Sequence, residues 1–395
     1  MDGIMKGRED NAVVRAERIG ALIEAAAPRI EQAGRLPDDV VLALHEERLF
    51  RLLLPRSVGG DELDLRTHAE VLETAASYDA STAWCMSQGA GCAMIAAFLP
   101  AESADRLFGP ADAALAWGAG IQGKARKVDG GYRVSGKWSF ASGSGHATLL
   151  GGHSFIFNKD GTPDMKPDGR QRDRTMIFAR DKASFHDVWD VMGLRGTASD
   201  TFEVDDLFVP EDETANRDDY GECRESGSLY RCSTSLAYGV GFAALQLGIA
   251  KAMLQALSDL ALNKTPRGAA SSLKESAVFH TDLARMTARY RAARAYLHEA
   301  AAATDSAAEL ATGWLLLDDR VNLKLATTHV INEAVEVTLT AYRAAGASAI
   351  FPSSPFERRL RDALTASQQV QGRQTNYTTA GRCLIGLEPD TQMFL

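Results

Sequence analysis

The feature that most constrains this chain is a double change of texture along its length. From residue 11 to about 113, apolar residues recur at helical spacing. Val13, Ile19, Leu22 and Ile23 form one such series, and Val40, Val41 and Leu44 another. Leu36-Pro-Asp-Asp39 reads as a helix start, because proline is tolerated and acids are favoured in a first turn. Pro55-Arg-Ser-Val-Gly-Gly60 breaks the pattern. From about 114 to 212 the period shortens to that of strands. Val128-Asp-Gly-Gly-Tyr-Arg-Val134 predicts a hairpin, and 149–157, 175–179 and 201–209 read as further strands. The polar segment 158–174 carries two prolines and two Asp-Gly turns, and reads as a mobile surface loop. From about 229 onward the texture is helical and alanine-rich, with Leu283, Met286, Tyr290 and Ala293 on one face. This order predicts an α+β fold: an N-terminal helical domain (1–113), a β barrel or sandwich (114–222) and a C-terminal four-helix bundle (223–395).

Several function classes are disfavoured by composition. The formal charge of −9 argues against nucleic acid and anionic membrane as partners. No apolar run reaches the roughly 18 residues of a membrane span, and the first ten residues lack the apolar core of a signal peptide. The five cysteines (Cys85, Cys92, Cys223, Cys232, Cys383) are scattered, with no CxxC pair, as expected of reduced thiols in a cytoplasmic protein. No pair of histidines with a carboxylate shows metal spacing. Gly118-Ala-Gly-Ile-Gln-Gly123 fits GxGxxG, but strand and turn residues follow where the dinucleotide fingerprint needs a helix. The match is read as chance, so electrons for any redox chemistry must come from outside the chain.

Four segments, in order, carry a resemblance. They are Leu52-Leu-Leu-Pro-Arg-Ser-Val-Gly-Gly60 with Asp79-Ala-Ser-Thr-Ala-Trp84; Gly130-Gly-Tyr-Arg-Val-Ser-Gly-Lys-Trp-Ser-Phe-Ala-Ser-Gly143; Met192-Gly-Leu-Arg-Gly-Thr-Ala-Ser199 with Val204-Asp-Asp-Leu-Phe-Val-Pro210; and Gly346-Ala-Ser348 with Glu357-Arg-Arg-Leu-Arg-Asp362. Together they resemble the acyl-CoA dehydrogenase superfamily. Trp138-Ser-Phe-Ala-Ser-Gly143 resembles the element of its two-component, reduced-flavin-dependent monooxygenases (group D), where dehydrogenases carry a different sequence.

The resemblance implies an acyl-CoA dehydrogenase-like fold and an oxygenase component. Such a component uses reduced flavin (FMNH2 or FADH2) from a separate NAD(P)H-dependent flavin reductase, with O2 as co-substrate. It forms a flavin C4a-hydroperoxide and oxidises a small aromatic or heteroatom substrate. The implied catalytic residues are Ser142, Gln369 and His146. Ser142 would hydrogen-bond near the flavin N5, and Trp138 and Phe140 would shield the ring in a dry site. Trp117, Ala141 and Trp189 join them at the cofactor. Arg195, Thr197 and Ser199 suit a loop that offers hydrogen bonds and positive charge to flavin or substrate. Arg267 would reach flavin phosphate, often across a subunit boundary, and Gly346 and Ser348 suit a tight loop near the cofactor. Barrel core is the competing reading for Trp138, and a structural role the competing reading for His146.

Dehydrogenation needs a carboxylate to take the substrate α-proton. The family places it shortly after the Arg-Asp pair or in the first long C-terminal helix. Neither 363–387 nor 230–258 contains Asp or Glu. Gln369 stands where members with phenolic substrates keep histidine, and glutamine cannot act as a base. The expected substrate is therefore a nucleophile that needs no deprotonation, such as an indole, aniline, amine or thioether. A flavin oxidase or acyl-CoA dehydrogenase-like enzyme and a non-catalytic flavoprotein of the same fold are the alternatives. Finally, the alanine-rich stretches 239–262 and 273–303 look too apolar for one bundle, which predicts a homotetramer formed through the C-terminal helices.

Overall fold

Helices fill the first part of the chain because their caps and apolar stripes agree. Residues 11–268 and 271–391 are described by the structure, a computed structural model; the first ten residues, where a signal peptide was argued against, lie outside them. The N-terminal helices are α1 (Ala12–Arg18), α2 (Gly20–Ala33), α3 (Asp38–Glu46), α4 (Leu65–Tyr78), α5 (Ala80–Ala93) and α6 (Ala101–Phe108). Asp64 and Asp79 cap α4 and α5 by accepting from Thr67 N (2.7 Å) and Thr82 N (2.8 Å). The 55–60 break is a 3-10 turn closed by Gly59 in the left-handed region.

The middle of the chain forms one mixed sheet. Its strands are β1 (Leu115–Trp117), β2 (Gly123–Val128), β3 (Gly131–Ala141), β4 (Leu149–Phe157), β5 (Asp173–Ala179), β6 (Ser184–His186), β7 (Asp200–Pro210) and β8 (Thr214–Ala215). The order is β6-β7-β3-β2-β4-β5-β8, with β1 paired parallel to β4. The sheet curls around Trp138, which is fully buried, stacks on Phe202 (5.2 Å) and donates from Nε1 to His153 O (2.9 Å).

That placement explains the misleading glycine motif. A Cβ at Gly118 or Gly123 would lie 2.4 or 2.3 Å from Trp138, and one at Gly136 or Gly152 2.5 or 2.6 Å from its ring. Two of the three GxGxxG glycines are thus small because an indole fills the sheet's interior. The segment read as a mobile surface loop lies at the surface, largely outside the strands, tied by two isolated bridges. Phe157 bridges Pro163 and Met165 bridges Gln171, while the Asp160 and Asp168 side chains accept the Thr162 and Arg170 N–H groups. Its polar residues fold the segment by bonding their own backbone.

The C-terminal helices are α7 (Thr234–Asn263), α8 (Ala277–Leu310), α9 (Leu317–Ala345), α10 (Pro355–Ala366) and α11 (Thr375–Leu384). They pack on one another and share their core with the N-terminal helices. One apolar core runs from Ile23, Leu72 and Trp84 through Leu245 and Met253 to Val330 and Ala363. Among the described residues α7 alone is long and apolar enough to cross a membrane, yet 78% of its apolar window is buried. The apolarity of 239–262 is therefore satisfied by α4, α5, α9 and α10 inside the chain, and does not by itself require partner subunits. The first half of α8 differs: Val278 is exposed and Leu283 only half-buried.

Candidate functional site

The end of β3 is built to aim side chains in opposite directions. A register shift against β7 between Trp138 and Ala141 breaks the strand's alternation. Trp138 and Ala141 stay in the core, and Phe140 swings outward, 63% exposed, on a left-handed backbone (φ 61°). Such a conformation costs a non-glycine residue roughly 1–3 kcal/mol. Trp189 meets Phe140 edge-on at 6.1 Å. The expected shield thus divides: Trp138 supports the sheet from inside, while Phe140 and Trp189 present an open aromatic surface.

Immediately beyond, Gly143 N donates to Thr197 O (2.8 Å), which draws Ser142 onto the 192–199 loop. Three buried hydroxyls meet there. Trp84 Nε1 donates to Ser142 Oγ (2.9 Å), Ser142 and Ser199 share a bond of 2.6 Å, Ser199 and Thr197 one of 2.7 Å, and Thr197 donates to Leu194 O (2.9 Å). Each hydroxyl owns one proton. Thr197 spends its proton on Leu194, so Ser199 donates to Thr197 and Ser142 donates to Ser199. The relay runs one way, and Ser142 is left with a spare accepting lone pair.

The 192–199 loop is fixed by α10. Leu194 N donates to Asp362 Oδ1 (2.7 Å), and Arg361 Nη1 to Met192 O (2.6 Å). A Cβ at Gly193 would lie 2.2 Å from Arg361 O, so only glycine permits this approach. Two sequence motifs some 170 residues apart are therefore each other's supports. Burial, and then the neighbouring Asp79 carboxylate, push Asp362 up to about 7. The carboxylate nearest the motif is committed to the loop backbone. Arg195 bonds its own loop at Val191 O (3.0 Å) and faces Asp190 at 3.6 Å.

Beside the hydroxyls stands an aromatic row. Trp84 stacks on Phe242 (4.3 Å, 17°), Phe242 on Tyr238 (5.6 Å, 3°), and Tyr238 meets Trp117 edge-on (6.5 Å). Trp84, Gln88 and Gly91 share one face of α5, as Tyr238 and Phe242 share one face of α7. A Cβ at Gly91 would lie 2.4 Å from the Tyr238 ring, so this glycine lets the ring lie against α5. Cys92 Sγ and Tyr238 Oη are 3.3 Å apart. Burial pushes the Cys92 thiol up to about 12, holds Tyr238 well above and His153 well below their ordinary ranges, and so keeps all three neutral.

The remaining candidates fall in three places. His146 stacks on Phe50 (5.0 Å), and burial followed by the charge of His45 lowers it to about 4. Gln369 accepts from Gln371 N (2.6 Å), and its Nε2 is buried without a partner among the described residues. Gln371 bonds Ser235 at the start of α7 (2.9 Å) and receives Lys324 Nζ, so this loop packs at the same helix end as Tyr238. Burial lowers Lys324 to about 7. Arg267, Gly346 and Ser348 gather elsewhere. Lys264 Nζ reaches Ala345 O, joining their two loops beyond the far end of α7. From Phe242 to that end the helix rises roughly 30 Å at 1.5 Å per residue. Sequence reasoning did not assign Trp84, Tyr238, Phe242 or Asp362 to the site. Trp84 and Asp362 lay inside the quoted motifs, and the α7 pair showed a four-residue spacing.

A planar flavin ring fits what the β3 end offers: an exposed aromatic surface with no polar demand, beside neutral hydroxyls with an accepting lone pair.

Comparison with known proteins gives the family and its relatives. The family described as acyl-CoA dehydrogenase, N-terminal domain, matches residues 17–110, and that described as acyl-CoA dehydrogenase, C-terminal domain, matches residues 240–372. The chain is 29% identical to indole-3-acetate monooxygenase of Pseudomonas putida, over 98% of this chain and 99% of that one. It is 25% identical to the oxygenase component of the FADH2-dependent resorcinol hydroxylase of Rhizobium sp. (strain MTP-10005), over 96% and 95%. Among solved structures, XiaF from Streptomyces sp., in complex with FADH2 and glycerol, superposes with a TM-score of 0.89 at 25% identity over 99% of each chain.

Proposed function

Because the chain belongs to the acyl-CoA dehydrogenase family, we propose that it is the oxygenase component of a two-component flavin-dependent monooxygenase. The observation that carries this reading is the one-way hydroxyl relay ending on Ser142, beside the open Phe140–Trp189 surface. Reduced flavin, when bound, supplies the electrons that activate O2 for transfer of one oxygen atom to the substrate. Phe140 and Trp189 hold the ring and exclude water. Reduced flavin carries an N–H at N5, where oxidised flavin has only a lone pair. Ser142, as an acceptor, matches the reduced form.

The carboxylate expected of a dehydrogenase is missing from both possible segments, and Asp362 is engaged by Leu194. The substrate is a small aromatic compound already nucleophilic without a base, as indoles are. Gln369 orients it through its unpartnered Nε2, and neutral His146 packs the wall. A separate NAD(P)H-dependent reductase supplies the flavin in the cytoplasm. Arg267, Gly346 and Ser348 complete the flavin site of a neighbouring subunit in a homotetramer, a reading supported by the exposure of Arg267 and Gly346 and by the distance of all three from Ser142 within one chain.

The test is an anaerobic titration with reduced and oxidised FMN and FAD, followed by mixing with oxygen. Reduced flavin should bind at least tenfold more tightly. In Ser142→Ala that preference should shrink roughly 10- to 100-fold, the worth of one hydrogen bond to a charged or polar partner, and hydrogen peroxide release should rise. Tight binding of oxidised flavin, or bleaching by an acyl-CoA, would sink the reading.

A further inference from the structure

Arg217 stands at the end of the aromatic row opposite Ser142. It lies between β8 and the 3-10 turn at Tyr220–Glu222, half-buried, with its guanidinium 4.5 Å from the centre of the Trp117 ring. Trp117 leads on to Tyr238, Phe242 and Trp84, and Trp84 to Ser142 Oγ. A cation therefore marks one end of a row of aromatic faces, and the hydroxyl relay marks the other.

Among the described residues this cation has no carboxylate partner, although acids surround it in sequence. Glu222 is paired with Arg174 (2.6 Å), Asp219 caps Gly221 N (3.0 Å), and Asp218 is exposed to solvent. Nor do the neighbours around Trp117 supply a negative charge. His153, Tyr238 and Cys92 each feel the Arg217 charge, and all three are neutral at neutral pH. Leaving a partly desolvated guanidinium without a counter-ion is costly. A planar guanidinium also suits two-point bonding to a carboxylate.

Resting on the oxygenase reading above, we propose that Arg217 is the specificity-determining residue at the end of this aromatic row. Its substrate class is then aromatic acids: a ring that lies along Trp117, Tyr238, Phe242 and Trp84, with a carboxylate on a short arm that pairs with Arg217.

The test compares indole-3-acetate, phenylacetate and benzoate with neutral 3-methylindole. Calorimetry on the complete chain loaded with reduced flavin under anaerobic conditions reads affinity, and turnover is followed separately. Wild type should bind at least one of the acids more tightly than 3-methylindole. Arg217→Gln should weaken that acid roughly 10- to 100-fold, the range of a hydrogen bond to a charged group. It should change 3-methylindole affinity less than about threefold and leave the reduced-flavin affinity unaltered. Arg217→Lys, which keeps charge but not the planar fork, should recover part of the loss. Equal weakening of acid and neutral ligands would mean that Arg217 only packs Trp117. Loss of flavin affinity would assign the cation to the flavin phosphate. Wild-type preference for the neutral ring, or no acid bound, overturns the proposal. Indole-3-acetate bound through Arg217 but never oxidised would leave the subsite standing and sink the oxygenase reading instead.

Discussion

The two ends of α7 differ in how much of their surroundings the chain itself provides. At the first end, three separate elements converge. Gln371 bonds Ser235, Tyr238 lies against Gly91, and Phe242 stacks on the Trp84 that holds Ser142. At the second end, Leu262, Ile350 and Phe351 are exposed, and Arg267 carries no ion pair among the described residues. Gly346 there takes a positive φ of 57° beside Lys264. The first end is a finished interior. The second shows cationic and apolar surface of the sort that an interface covers. A reactive centre needs fixed geometry and dryness, which one chain supplies where sheet, α5 and α7 meet. Anchoring a long cofactor's phosphates needs reach, which a second copy would supply in the proposed homotetramer.

The largest way to break this contrast is to remove the support under the finished end. Trp138→Ala should cost roughly 3–5 kcal/mol, as large-to-small changes in a core do, and lower the urea midpoint accordingly. Phe140→Ala, two residues on but exposed, should cost less than about 1 kcal/mol, while diverting oxygen to hydrogen peroxide. Comparable losses in the two variants would contradict the inside-outside division at the β3 bulge.

A smaller effect is expected at the open end. Arg267→Ala should leave unfolding within about 0.5 kcal/mol of wild type, yet weaken reduced-flavin binding roughly tenfold, equivalent to about 1.4 kcal/mol. The weakening should appear only at concentrations where the protein sediments as an oligomer. A monomer with unimpaired flavin affinity would show that the far end of α7 takes no part in the site.

The smallest effect sharpens the first end. His146, lowered to about 4 by burial, is neutral throughout pH 6–8. The substrate-oxidation rate should therefore show no ionisation in that window that disappears in His146→Ala. Because the folded-state value lies below that of the unfolded chain, stability falls as pH drops from about 6.5 toward 4, when the unfolded chain takes up the proton first. A rate ionisation near pH 6.5 that vanishes in His146→Ala would restore the histidine as a base.

Much of the fold was legible because local signals agreed with it. Acidic caps sit where helices begin, and one Asp-Gly-Gly turn joins β2 to β3. The polar side chains of 158–174 mark a surface segment, but only the structure shows that Asp160 and Asp168 bond the local backbone. The apolar stretch 239–262 was misread as surplus because composition cannot tell a helix covered by its own chain from one covered by a neighbour.

For the site, the sequence by itself determined which chemistry was open. It supplied the serine before Gly143, withheld carboxylates from both segments where a dehydrogenase needs one, and put glutamine at position 369. Those are facts of residue type, and no folding can alter them. Only the tertiary structure decided which groups act together and in which sense. Trp138 and Phe140 are alike on paper, and a one-residue register shift sends one into the sheet and the other out. Ser142 can donate or accept until Trp84, Ser199, Thr197 and Leu194 O line up and settle the direction of its proton. Arg217 is one arginine among acids until its neighbours find other partners and leave it facing Trp117. The physical reason is common to all three. Side-chain identity sets what a group is able to do, but hydrogen-bond direction, burial and charge balance depend on neighbours that are distant along the chain and near only in the fold.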